Sequence, residues 1–253
     1  MDPNDPRVTL ERDGNVAVVT LDDPARRNAL SLEVTVQLGQ AVDEATADPS
    51  VGALVVTATP PAFCAGGSVD DLLNPRASLR DMYAGVVALS RTTLPSVAAV
   101  NGPVIGAGVN VPLSCDVILA SPKARFDPRF MDLAIHPGGG HLWRMERLVG
   151  RQAAAALVIF GESLTGEEAA RVGLAWKCVD DDELLDAAIA LARRAADRPR
   201  ELVGRAKSVL EASPSLATWD EALELEFTHQ EWSMDQPAFQ EKLAELRAKL
   251  QKG

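Results

Sequence analysis

The spacing of apolar residues changes several times along the chain, and each change marks a new element. Val8 to Leu10 and Val16 to Leu21 are β-rich runs on either side of Asp13-Gly14, which predicts a hairpin. Ser31 can cap a helix that runs to about Ala47 and stops at Asp48-Pro49. Gly52 to Thr57 is a short β-branched run that predicts a buried strand. Thr59 to Ser68 predicts a loop rich in Pro, Gly and Ala, and Leu79 to Thr92 a helix. Strands are predicted again at Ser96 to Val100, Asp116 to Ala120 and Leu174 to Val179. Between them, Gly102 to Gly108 leads into a short apolar helix, and His136 to Gly140 opens a helix through Val149. Thr165 and Glu168 form a capping box for a helix to Arg171. From Glu183 onward the pattern is helical, broken at Asp197-Arg198-Pro199, Ser213-Pro214 and Gln236-Pro237. Alternating strands and helices predict an α/β core over residues 1–195, followed by a helical region over 196–253.

Composition narrows the functional classes. Hydrophobic residues make up 47% of the 253, a globular share. Met1 to Pro6 lack the basic start and apolar run of a secretory signal. Leu94 to Leu113 is the most apolar long stretch, but prolines and polar residues interrupt it, so no membrane span is expected. Cys64, Cys115 and Cys178 lie far apart without a CxxC pair, which suits reduced thiols in a cytoplasmic protein. His136, His141 and His229 have no zinc spacing, so no metal site is expected. The net charge of −11 argues against a nucleic-acid partner. It does not exclude an anionic ligand, which responds to the local field of a few Arg and Lys residues.

Two segments share one construction: a buried strand, a loop of small residues, then a helix. The first is Val55 to Thr57 followed by Phe63 to Ser68, and the second is Val97 to Val100 followed by Asn101 to Gly108. Small residues let a ligand approach the backbone, and a helix start leaves N–H groups without partners. If both loops end near one spot, two donors can hold one developing oxyanion, each worth about 2.7–4 kcal/mol in other enzymes. Either loop alone reads as a tight turn. Neither matches the glycine patterns of dinucleotide or nucleoside-triphosphate sites.

Together with other segments, these loops resemble the enoyl-CoA hydratase/isomerase (crotonase) family. The resemblance rests on Arg26-Arg27-Asn28-Ala29-Leu30, AFCAGGS at Ala62 to Ser68, and NGPVIGAGVNVPLSCD at Asn101 to Asp116. Leu148-Val149-Gly150, LTGEEAARVGL at Leu164 to Leu174 and FQEKL at Phe239 to Leu243 continue it in consistent order. It implies a core of repeated ββα units in a spiral, with a C-terminal helical region that forms a homotrimer or a dimer of trimers. It implies an acyl-CoA substrate, with coenzyme A carried as part of the substrate and no separate cofactor. The backbone amides of Gly67 and Ala107 would form the oxyanion hole. Ala65, Gly66, Ser68 and Val69 would line the coenzyme A site, Arg26 or Arg27 would lie near phosphate, and Lys242 would reach a neighbouring subunit's ligand. For each basic residue, a solvated surface charge is an equal reading.

The chain departs from the family where acid/base chemistry is expected. Asn110 stands where the pattern has its first glutamate, and Phe130 where it has its second. Asn110 cannot exchange a proton at neutral pH but can orient a water or a thioester. Phe130 can do neither. Gly138 occupies a position that carries a catalytic side chain in some branches of the family. Asp132 and His136 are the leading substitutes, each weighed against a plain surface or loop role. His141, one turn into the following helix, and Asp70 and Asp71 rank lower. Three readings stay open: an enzyme acting through a polarised thioester or enolate, a non-catalytic acyl-CoA binder or carrier, and a structural subunit. The pair Asn110 and Phe130 favours the binder, and the two loops disfavour the structural subunit. The enzyme, a hydratase, isomerase or related catalyst of acyl-CoA metabolism, is still the leading reading, because one fold can host many chemistries on altered side chains.

Overall fold

The computed structural model describes residues 8–251. Met1 to Pro6, read above for a secretory signal, lie outside the described residues. Strand β1 (Val8–Asp13) pairs antiparallel with β2 (Val16–Leu21) through a turn in which Gly14 has φ of 61°. Helix α1 (Leu32–Ala47) starts where the Ser31 side chain accepts the Val34 N–H at 3.2 Å. Strand β3 (Ala53–Ala58) follows, then short helices α2 (Val69–Leu73) and α3 (Leu79–Met82), and α4 (Ala84–Arg91). The single helix predicted at Leu79 to Thr92 is therefore two, joined at Tyr83. Strands β4 (Ser96–Val100) and β5 (Pro103–Ile105) lead through a 3₁₀ turn at Gly106–Val109 into α5 (Asn110–Leu113). Strands β6 (Val117–Ala120) and β7 (Arg125–Asp127) precede α6 (His141–Val158), which continues beyond Val149 across a break at Gly150. The remaining elements of this half are β8 (Leu164–Thr165), α7 (Gly166–Val172), β9 (Lys177–Cys178) and α8 (Leu184–Ala196). The last predicted strand shrinks to two residues because only Lys177 and Cys178 find ladder partners, on β6.

Six strands form one sheet in the order β1-β2-β3-β4-β6-β9, parallel from β2 onward. A parallel sheet covered on both faces needs apolar residues at nearly every position, which explains the uninterrupted ALVVTA and SVAAV runs. Alternate residues serve opposite faces. Val19, Leu54, Val56, Ala98, Val100 and Ile118 join one core with Leu38 and Leu89 from α1 and α4. Val16, Val18, Val55, Val97, Ala99 and Leu119 join the other with Leu184, Ala188 and Ala192 of α8. Strands β5, β7 and β8 form a second, smaller sheet that the sequence pattern did not suggest. It matters for function because β5 carries the second glycine loop.

The chain divides into two compact units, Met1–Ala196 and Asp197–Gly253. The second unit contains helices α9 (Arg200–Ala212), α10 (Trp219–Met234) and α11 (Pro237–Leu250), separated at the predicted breaks. Within it the Arg205 guanidinium lies 3.9 Å over the Trp232 ring. No described helix is long and apolar enough to cross a membrane.

Candidate active site

The two glycine loops lie side by side. Cys64 donates to the Pro103 carbonyl at 3.2 Å, and Ile105 donates to the Cys64 carbonyl at 2.9 Å, so Cys64 and Val104 pair in parallel. Gly67 and Ala107 each stand three residues beyond that pair. The close approach demands glycine. A Cβ at Gly66, where φ is 100°, would stand 2.9 Å from the Ile105 carbonyl oxygen and 3.8 Å from the Ala107 nitrogen. A Cβ at Gly108 would meet the Cys64 carbonyl oxygen at 2.7 Å. Cys64 itself is fully buried, and burial pushes its thiol up to about 12, so it fills space and stays protonated.

The other edge of the first loop is held by the segment after β2. Leu30 donates to the Gly66 carbonyl at 2.7 Å and accepts from the Ser68 N–H at 3.0 Å. This pattern consumes the flanking groups and leaves the Gly67 N–H pointing away from Leu30. Among the described residues, neither the Gly67 nor the Ala107 amide donates to a protein acceptor. Both residues are partly exposed, so a ligand atom can reach them. Ala107 is the second residue of a 3₁₀ turn, where no intrahelical acceptor is available.

Asn28 explains why the preceding segment folds as it does. It is fully buried with φ of 56°, and its side chain donates to the Thr59 and Ala62 carbonyls at 2.8 and 2.7 Å. Its Oδ1 accepts the Asp23 N–H at 2.7 Å. One amide therefore ties the Asp23–Leu30 turn to the start of the first loop. The Arg27 carbonyl in turn accepts the Ala65 N–H at 3.0 Å, while the Arg26 and Arg27 side chains are exposed. Ser68 caps α2 by accepting the Asp71 N–H at 3.3 Å, and Val69 is 66% exposed. Asp71 is buried, accepts the Leu32 N–H at 3.1 Å and pairs with Arg76 at 2.8 Å. Arg76 also bonds both Glu33 oxygens, at 2.6 and 3.0 Å, so the Asn74 to Ser78 stretch is anchored by ion pairs. These bonds give Asp71 a structural role; Asp70 lies exposed in the first turn of the same helix.

The positions expected to carry acid/base chemistry form a buried cluster with a member that sequence reasoning ranked low. Asn110 is fully buried at the start of α5, three residues after Ala107. Its Nδ2 donates to the Gly138 carbonyl at 3.1 Å, and its Oδ1 lies 2.9 Å from His141 Nδ1. Phe130, 5% exposed, meets the His141 ring edge-on at 5.0 Å between centroids. His141 thus touches both positions at which the resemblance leads one to look for glutamate. It is 1% exposed, and burial lowers its pKa to about 4, so the ring is neutral near pH 7. Its Nε2 is buried and meets no protein partner. Tyr83 closes the cluster from the α3–α4 joint: a Cβ at Gly138 would stand 3.0 Å from its hydroxyl oxygen. Burial raises the Tyr83 phenol above its ordinary value.

Asp132 and His136, the leading candidates from sequence, are not part of this cluster. Both are exposed on the segment before α6, and His136 Nδ1 bonds the Pro137 carbonyl at 2.8 Å. The sequence could not rank His141 above His136, because the bond that distinguishes it spans 31 residues. Lys242 is exposed on α11 and pairs with Glu245 at 2.8 Å. Among the described residues, no group of three or more His, Cys, Asp or Glu could hold a metal ion. A cavity of about 1150 Å³ adjoins the cluster and is lined in part by Tyr83, Val87, Gly139, Gly140 and Arg144.

Comparison with known proteins identifies the family. The enoyl-CoA hydratase/isomerase family model matches residues 11–251. The chain is 42% identical over 249 residues to a Mycobacterium tuberculosis protein named "Probable enoyl-CoA hydratase EchA14", covering 94% of this chain and 96% of that one. It is 33% identical over 214 residues to the 2,3-dehydroadipyl-CoA hydratase of Escherichia coli, covering 82% and 83%. The crystal structure of an enoyl-CoA hydratase from Polaromonas sp. JS666 superposes with a TM-score of 0.89 at 25% identity, covering 96% of this chain and 97% of that one. Paired loops, buried parallel sheet, C-terminal helices and relatives together establish that the chain belongs to the enoyl-CoA hydratase/isomerase family.

Proposed function

We propose that this enzyme acts on an acyl-CoA thioester by receiving its carbonyl oxygen between the Gly67 and Ala107 amides. The observation that carries the reading is the pair of uncommitted N–H groups on two loops locked together at Cys64 and Val104. Such donors stabilise the negative charge that collects on a thioester oxygen when an enolate forms. They do not reorganise as charge develops, because strand pairing already fixes both loops. Arg26 and Arg27 stand next to Ala65 and are suited to phosphates of the coenzyme A moiety. Ser68 and Val69 follow Gly67 directly and are suited to line the same coenzyme A site. Lys242 from a second copy is suited to the same phosphates, within a homotrimer or a dimer of trimers. Cysteines that form no disulfide among the described residues fit a reducing, cytoplasmic setting.

The absence of carboxylates at positions 110 and 130 favours a second reading, in which the site binds acyl-CoA without turning it over. Calorimetry with crotonyl-CoA, octanoyl-CoA and free coenzyme A tests what both readings share. Binding in the micromolar range or tighter is expected for at least one thioester. No heat and no thermal shift with any of them would remove the assignment. Ultraviolet loss of the conjugated thioester then separates turnover from binding. Slow hydration of crotonyl-CoA is expected, since the paired carboxylates that activate water are missing.

A further inference from the structure

Hydrogen-bond geometry at Asn110 fixes which nitrogen of His141 carries the proton. Asn110 Nδ2 faces the Gly138 carbonyl, which can only accept, so this end of the amide is the donor. Oδ1 is then the end facing His141 Nδ1, and an oxygen acceptor requires an N–H opposite. Neutral imidazole has one N–H, so Nε2 presents a bare lone pair. That lone pair is buried and has no hydrogen-bond partner among the described residues. An unmet acceptor in a buried place costs on the order of 1–3 kcal/mol unless something else fills the space.

We propose that His141 is the acid/base group of this site, with Nε2 moving a proton to and from the substrate and Asn110 as the positioning residue that sets its tautomer. This rests on the acyl-CoA reading above and supplies the group that reading lacks. Nε2 takes a proton from Cα of the thioester. The C–H electron pair moves into the thioester, and the negative charge rests on the oxygen between the two amides. The imidazolium then returns a proton to carbon and regains its lone pair. No oxidant, reductant or second reactant is needed. One group that both accepts and donates suits a proton shift along an acyl chain better than two-carboxylate hydration.

The environment agrees with a neutral resting imidazole. Burial disfavours its cation, and its place as the first residue of α6 puts it at the positive end of a helix dipole. The titratable or charged groups on elements packed against it are few. Tyr83 stands beyond Gly138 and Gly139, the Asp127–Arg129 pair and Asp132 flank Phe130, and Arg144 and Glu146 lie on its own helix. None supplies an anion hydrogen-bonded to the ring.

The test is exchange of the α-hydrogens of butyryl-CoA for deuterium in D2O, followed by proton NMR, with butyryl-CoA affinity measured alongside. His141→Asn keeps a donor at the Nδ1 position for Asn110 but removes Nε2. Wild-type exchange is expected, with a loss of roughly 10²–10⁴-fold in the variant at little changed affinity. Exchange at the wild-type rate in His141→Asn, or none in a wild type that binds butyryl-CoA, overturns the role of His141 alone. No binding by the wild type overturns the thioester reading and this proposal with it. If His141→Asn does not fold, nitrogen-15 NMR of the wild-type imidazole decides. Nδ1–H with a bare Nε2 near pH 7 supports the assignment, and a proton on Nε2 overturns it.

Discussion

At the scale of single residues, Asn110 decides the chemistry of its surroundings by what it lacks. A carboxylate there would place negative charge beside the His141 Nδ1 and against the Gly138 carbonyl. Asn110→Asp should therefore raise the His141 pKa from about 4 by roughly 1–3 units, measurable by NMR titration. An unchanged value would mean that the ring does not sense position 110. The same crowding predicts that Asn110→Glu with Phe130→Glu does not restore efficient hydration. Both sites are closed, and Phe130 packs on the imidazole edge. A fall in melting temperature without a gain in crotonyl-CoA hydration is expected; a large gain would show that the pocket accommodates the ordinary acid/base pair. Ala107 can be probed through its backbone, since proline removes its N–H where no helix bond is lost. Ala107→Pro should lower turnover by roughly 10²–10³-fold. Residue identities announced the unusual feature, two absent carboxylates, but not its replacement. His141 acquires meaning only when folding brings α6 against α5.

At the scale of elements, strand pairing turns two ordinary loops into one device. Gly108 is the contact point: adding a methyl there drives it into the Cys64 carbonyl and thiol, at 2.7 and 2.8 Å. Gly108→Ala should destabilise the fold by about 1–3 kcal/mol and weaken acyl-CoA binding, because the loops must separate. Denaturant melts and calorimetry on one preparation check both effects, and wild-type values for both would mean the loops are not held at this contact. Most of the strands and long helices were legible from sequence because they are buried on both faces or periodic with clear caps. Ser31, Thr165 and Asp13-Gly14 signal their turns through local chemistry alone. The β5-β7-β8 sheet was not legible. Its strands are three, three and two residues long, and their pairing is set by distant segments. The Tyr83 joint was hidden for a related reason, since apolar spacing continues across it.

At the scale of the whole molecule, the buried imidazole links function to stability. Its folded pKa of about 4 lies below the value near 6.5 expected when unfolded. Between those values the unfolded chain binds a proton that the folded chain refuses, so stability falls as pH drops from about 6.5 toward 4. The loss is on the order of 3 kcal/mol for this group. His141→Asn should flatten that part of the stability profile; an unchanged slope in melts from pH 7 to pH 4 would place the titration elsewhere. The family relationship, the α/β core and the C-terminal helices could be anticipated from motif order along nearly the whole chain. Assembly could not be anticipated from one chain's packing, and sedimentation is expected to return three or six copies.

If two backbone amides grip one thioester oxygen as proposed, vibrational spectroscopy reads that grip on the bond itself. Isotope-edited infrared difference spectra of crotonyl-CoA labelled with carbon-13 at the carbonyl should show the C=O stretch at lower frequency in the bound state. Ala107→Pro should return it most of the way to the value in water. A bound thioester whose carbonyl stretch matches that of free crotonyl-CoA would mean that the Gly67 and Ala107 amides do not hold its oxygen.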